Sequence, residues 1–295
     1  MLKRETHTVS RIRKSSTLCP NCRQPVNTDD PLCPYCGLSK PGSRKIMRFF
    51  SGQGGGRGDI DVVRIIIYTN IAFYIVSLLL SSSTVGISAN PLTFLSPGSR
   101  SLILLGATGT IPIDELNRWW TLVSASFLHG GILHIFFNMA ALWQLGPFVL
   151  REFGFYRFVI IYTVTGIIGF LVSYIAHIPF TIGASGSICG LIGAILYYGK
   201  SRGGVYGYAI YRQAMGWVVG LAVFGLLVTG INNWAHGGGI LSGILLGFLM
   251  GYNDKEGETI VSRTLAAGVI LLTAAILLWS LIQAIYYRFH LSPLY

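Results

Sequence analysis

Seven apolar stretches, near 62–81, 132–150, 156–178, 186–199, 214–230, 235–252 and 264–287, occupy most of the chain beyond residue 60. A bilayer core needs about 20 mostly apolar residues per helix, so this pattern predicts an all-α polytopic membrane protein with seven helices. The stretch near 186 is short and glycine-rich and begins with polar residues. Its start is therefore expected below the membrane surface, buried among other helices or wetted. The composition agrees: 52% hydrophobic, 11% charged, mean hydropathy +0.59.

The formal net charge of +11 raises the question of nucleic acid. More than half of the 22 Lys and Arg residues precede Ile65, immediately before the first apolar stretch, which is the placement of a topology signal, and no nucleic-acid partner is expected. Placing residues 1–61 inside also puts Arg151, Arg157, Lys200, Arg202, Arg212, Lys255 and Arg263 inside, and leaves Arg100, Arg118 and Arg288 outside. The second, fourth and sixth helices then begin at the outer face. The opening MLKRETHTVS lacks the apolar core and small-residue site of a secretory signal, so no cleaved leader is expected.

Cys19, Cys22, Cys33 and Cys36 stand in CPNC and CPYC, two CxxC knuckles spaced as in zinc ribbons, where four thiolates make a tetrahedral site. A pair of disulfides is the rival; on a cytosolic segment, where thiols stay reduced, zinc is favoured. Four cysteines leave no open position for a catalytic water, so the zinc is structural, in a ribbon over 17–39 followed by a flexible basic linker over 40–60. The segment resembles the small zinc ribbons of many prokaryotic proteins. Its ligand is not written in the sequence.

Ser185 opens the fourth helix in GASGSICGLIGA, and His236 opens the sixth in NWAHGGGILSGILLG. Serine is a common packing residue in membrane helices, whereas an ionisable group at the edge of an apolar span is a functional candidate. A serine hydroxyl becomes a nucleophile when a base takes its proton, and histidine is suited to that task near neutral pH. None of the eleven Asp and Glu residues falls inside an expected span, which leaves a Ser/His dyad without an acid. His134 and Asn138, four apart in LHIFFNM, share one helix face near the outer end, and both can donate to a tetrahedral oxyanion. The N-terminus of the fourth helix adds unpaired amides beside Ser185. Gly186, Gly190 and Ala194 on one helix, and Gly239, Gly243 and Gly247 on the other, form small-xxx-small stripes that allow the close approach the pair requires.

Together, HxxxN at His134 to Asn138, GxSG at Gly183 to Gly186 and AHxxGxxxG at Ala235 to Gly243 resemble the rhomboid intramembrane proteases over about residues 60–252. The resemblance implies a six-helix core over 61–253, with a water-accessible site below the outer surface. It also implies a Ser185/His236 dyad, oxyanion donors from His134, Asn138 and the Ser185 backbone, and no cofactor for catalysis. The helix near 264–287 looks like the extra C-terminal span of part of the family. The outer segment 82–130, with SLILLG and NRWWTLV, is expected to fold beside the bundle, with Trp119 and Trp120 at interface depth.

Two positions depart from the family pattern. Thr121 stands after Trp120 where arginine is frequent, with Arg118 nearby. Cys189 stands where an aromatic ring packs on the catalytic histidine; a thiol deep in apolar surroundings is read as packing. His129 in FLHGG is assigned to the interface rather than the site, and His177 and His290 have no evident partner.

The partners so implied are transmembrane protein substrates within a lipid bilayer, reached laterally beside the fifth helix, in a prokaryotic cell membrane with the N-terminus cytoplasmic. Substrate spans carrying Gly, Pro or Ser near the outer end are expected, because unwinding a helix costs least there. The alternatives are a rhomboid-like pseudoprotease that binds without cutting, against which the retained Ser185 and His236 argue, and a zinc-regulated transporter. The transporter would show midplane charges or paired repeats, and neither is found.

Overall fold

A computed structural model describes residues 16–19, 24–27, 30–35, 59–81, 94–253 and 258–290. Two short strands, β1 (Ser16–Leu18) and β2 (Pro25–Asn27), pair antiparallel with Thr17 opposite Val26. The rest is helical: α1 (Asp59–Leu80), α2 (Ser99–Leu104), α3 (Thr121–Ser124), α4 (Ile132–Phe153), α5 (Phe155–Ile175), α6 (Ser185–Arg202), α7 (Gly204–Leu227), α8 (Asn233–Met250) and α9 (Ile260–His290), with a π turn at Ile111–Glu115.

The helices end where the sequence permits a turn. Gly154, Gly203 and Gly251 follow α4, α6 and α8 with φ of 91°, 65° and 64° and ψ of 171°, -166° and -171°, an extended positive-φ conformation open essentially to glycine alone. Lys200 and Arg202 lie in the last turn of α6, where cations complement the helix dipole. The α5 helix stops at Ile175, short of the expected 178, because His177 turns left-handed with φ 56° ahead of Pro179.

Among the described residues, five helices, α1, α4, α5, α7 and α9, are long and apolar enough to cross a membrane. Of the other four, α2 and α3 are short, while α6 and α8, 18 residues each, are interrupted by glycine and begin with polar residues. Their packing explains this composition. The α6 helix is central, in contact with α4, α5, α7 and α8, and its Leu191, Ile192 and Ala194 are fully buried. A Cβ on Gly243 would overlap the carbonyl of Gly190, one on Gly239 that of Gly186, and one on Gly193 that of Ile240. Glycine therefore lets the α6 and α8 backbones touch, which drives helix association where no hydrophobic effect operates. The α5 helix joins them, with Gly169 against the carbonyl of Ala235.

The α9 helix packs on α5 and on the outer segment formed by α2 and α3. Ser280 Oγ, fully buried, donates to the Leu105 carbonyl at 2.6 Å, and Leu277 and Leu281 meet the cluster of Leu102, Leu105, Phe127 and Leu128. Arg118 Nη1 donates to the Ile103 carbonyl, while the buried Thr121 hydroxyl donates to the Arg118 carbonyl, so both residues brace this segment. Trp119 is half-exposed, edge-on to Tyr174.

Candidate active site

The α4, α6 and α8 helices start at one end of the bundle, and their first turns converge. Ser185 is the first residue of α6, and Ala184 before it makes no side-chain cap, so the first-turn amides have no capping partner. His236 lies in the first turn of α8. Its Nε2 is 2.9 Å from Ser185 Oγ. That distance and burial are those of a hydroxyl able to hand its proton to an imidazole.

On the far side of the ring, His236 Nδ1 is buried and has no hydrogen-bond partner among the described residues. The described carboxylates that do have partners lie elsewhere: Asp30 accepts from Asn27, Asp114 from Tyr174, Glu152 from Arg151, and Glu258 from the Tyr156 amide. No ring pairs with His236 among the described residues, and the buried Cys189 instead lies against Gly239, 3.0 Å from where its Cβ would be.

His134 reaches the same point from α4. A Cβ on Gly183 would lie 2.8 Å from His134 Nε2 and 3.9 Å from Ser185 Oγ, so the three share one small volume. Gly183 has φ of 123° and its amide donates to the Ala125 carbonyl, which turns the chain sharply into α6. Asn138, buried one turn further along α4, donates through Nδ2 to the His134 carbonyl at 2.8 Å. That bond uses one of its two N–H donors and leaves the other.

Asn232 was not foreseen. Its Oδ1 caps α8 by accepting from the Ala235 amide at 3.1 Å, and its Nδ2 donates to Ser173 Oγ at 2.8 Å and Thr181 Oγ1 at 2.9 Å. Thr181 in turn pairs through its backbone with Thr108 of the outer segment. The start of the helix carrying His236 is thus tied to α5, to the turn before Ser185 and to the outer segment. An Asn just before an apolar run is a readable N-cap signal. His129, expected at the interface, is fully buried behind His134, with ring centroids 5.0 Å apart. His290 stacks on Tyr286 at the end of α9.

Residues 116–253 match the family model of the rhomboid domain. The similarity is to the rhomboid family. This rhomboid-like stretch contains every one of the convergent residues just described except those contributed by the outer segment before it. The chain is 33% identical over 198 residues to the rhomboid protease GluP of Bacillus subtilis (strain 168), covering 67% of this chain and 37% of that protein. It is 32% identical over 163 residues to RHOMBOID-like protein 4 of Arabidopsis thaliana (55% of this chain, 41% of that one). With RHOMBOID-like protein 5 of the same plant it is 36% identical over 162 residues, with 53% and 52% covered. The chain therefore spans between about a third and a half of these rhomboid relatives' lengths. Five candidate membrane helices and the rhomboid match make it a multi-pass membrane protein.

Of the four cysteines in the two knuckles, Cys22 and Cys36 lie outside the described residues, as do residues 40–58 of the linker expected over 40–60. Cys19 and Cys33 are both buried beside the hairpin, where the Cys19 amide donates to the Gln24 carbonyl at 2.8 Å. Among the described residues no group of three or more His, Cys, Asp or Glu side chains could hold a metal.

Proposed function

We propose that the protein is a rhomboid-family intramembrane serine endopeptidase that cuts the membrane-spanning segments of other proteins, with Ser185 as nucleophile and His236 as general base. The observation that carries this reading is the 2.9 Å contact between Ser185 Oγ and His236 Nε2 at the start of two helices in van der Waals contact. His236 takes the hydroxyl proton as Ser185 attacks the scissile carbonyl. It then returns that proton to the leaving amine, giving an acyl-enzyme that water hydrolyses through the same ring. The oxyanion is held by the Ser185 amide at the α6 N-terminus, by His134 and by the second N–H of Asn138. Each such donor contributes about 3 kcal/mol to the transition state in serine proteases.

In this reading α6 and α8 also cross the membrane, completing a six-helix core over 61–253, and α9 is an added span. The site lies below the outer face and the N-terminus in the cytoplasm. Cys19, Cys22, Cys33 and Cys36 hold a structural zinc ion. A pseudoprotease that binds spans without cutting is the competing reading, and the Ser185–His236 contact favours cleavage over it. A fluorophosphonate probe separates the two. A single adduct on Ser185, located by mass spectrometry and absent from His236→Ala, is the expected result; an unlabelled, folded wild type would favour the pseudoprotease.

A further inference from the structure

A neutral imidazole carries one N–H, and the nitrogen that accepts a hydrogen bond is the one without it. The Gly130 amide donates to His134 Nδ1 at 3.3 Å. The proton of His134 is therefore on Nε2, the nitrogen that faces Gly183 and Ser185. A donor in that place is useful to an oxyanion; with the proton on Nδ1 the ring would present a lone pair instead.

The residue that offers this amide is itself held through its carbonyl. Ser96 Oγ donates to the Gly130 carbonyl at 2.6 Å, the Ile132 amide donates to the Phe94 carbonyl at 3.2 Å, and Tyr74 on α1 donates to the Leu95 carbonyl at 2.6 Å. A chain of hydrogen bonds thus runs from α1 through residues 94–96 to the 130 turn and on to the ring. His129 is fully buried and edge-on to His134, with ring centroids 5.0 Å apart. Its ring backs the His134 imidazole only as a packing neighbour.

We propose that Ser96 is a positioning residue that selects the tautomer of His134 through Gly130, so that Nε2–H points at the Ser185 side of the site. The role of that N–H in catalysis rests on the protease reading; the tautomer does not.

The test uses the full-length protein in detergent micelles, labelled with 15N in its histidine rings, with His134 assigned by its loss in His134→Gln. Wild type is expected to show an unprotonated Nδ1 and a protonated Nε2. Ser96→Ala is expected to mix the two tautomers and lower kcat about fivefold at constant KM, the size of one lost hydrogen bond. Ser96→Thr, which keeps the hydroxyl, restores both. A wild-type ring protonated on Nδ1 overturns the proposal, as does Ser96→Ala with tautomer and kcat unchanged. The wild-type spectrum needs no variant, so the proposal stays exposed even where Ser96→Ala does not fold. Tautomers that behave as stated in a protein that cuts nothing would uphold Ser96 and sink the protease reading.

Discussion

Gly183 and His134 occupy adjoining space such that a single added carbon on the glycine would stand 2.8 Å from the imidazole Nε2. The backbone there also has φ of 123°, which side-chain-bearing residues rarely adopt. Gly183→Ala is therefore expected to push the His134 ring out of the site. Cleavage should fall about 100-fold, the effect of one lost oxyanion donor, with a stability loss of about 1–3 kcal/mol from backbone strain. Kinetics and denaturant unfolding of the same preparation measure the two effects. Unchanged kcat would place His134 outside the chemistry.

Gly239 on α8 faces the Gly186 carbonyl, whereas Gly237, two residues away, has nothing within 4 Å of its would-be Cβ. Gly239→Ala is expected to wedge α6 from α8, costing about 1–3 kcal/mol as overpacking does, and to abolish cleavage by separating Ser185 from His236. Gly237→Ala is expected to leave both nearly unchanged. Equal effects at the two positions, read by thermal unfolding and activity, would contradict the close-contact account.

Asn232 joins three elements, and Asn233 beside it makes one exposed bond, to the Gly225 carbonyl. Asn232→Ala is expected to cost about 1–2 kcal/mol for the lost cap alone, and more for the bonds to Ser173 and Thr181. Asn233→Ala should cost under about 1 kcal/mol. Unfolding of the two variants under one set of conditions gives the order, and the reverse order would refute it.

Five of the seven expected spans, α1, α4, α5, α7 and α9, were legible because each is written in a contiguous run, and a run long enough to span a bilayer has few other uses. The burial of α6 among neighbouring helices agrees with its glycines and polar start. The backbone contacts of Gly239 and Gly243 with Gly186 and Gly190 are the geometry for which four-residue glycine spacing is suited. The residues missed are those whose meaning comes from partners far along the chain. Asn232 reaches Ser173 and Thr181, Ser280 reaches Leu105, and Ser96 reaches Gly130. A lone polar residue at the end or in the middle of an apolar run reads as solubility or packing until the fold shows what it meets. His129 was misjudged for the same reason: beside two glycines at a helix start it reads as interfacial, yet α4 and the outer segment close over it.

The N-terminal knuckles make a separate expectation. Purified protein should hold about one zinc ion per chain in a four-thiolate site, lost when Cys19 and Cys33 are both changed to Ser. Catalysis should persist in that variant, since the dyad needs no metal. Elemental analysis alongside a cleavage assay reads both; a chain without zinc, or cleavage that disappears with the cysteines in folded protein, would contradict a purely structural ion.

The central claim is tested most directly by reconstituting wild type, Ser185→Ala and His236→Ala in liposomes with a labelled single-span substrate and comparing product under identical conditions. Cleavage by wild type and none by either variant is the expected result. Cleavage surviving in Ser185→Ala, or a wild type that binds the span and leaves it intact, would contradict the account.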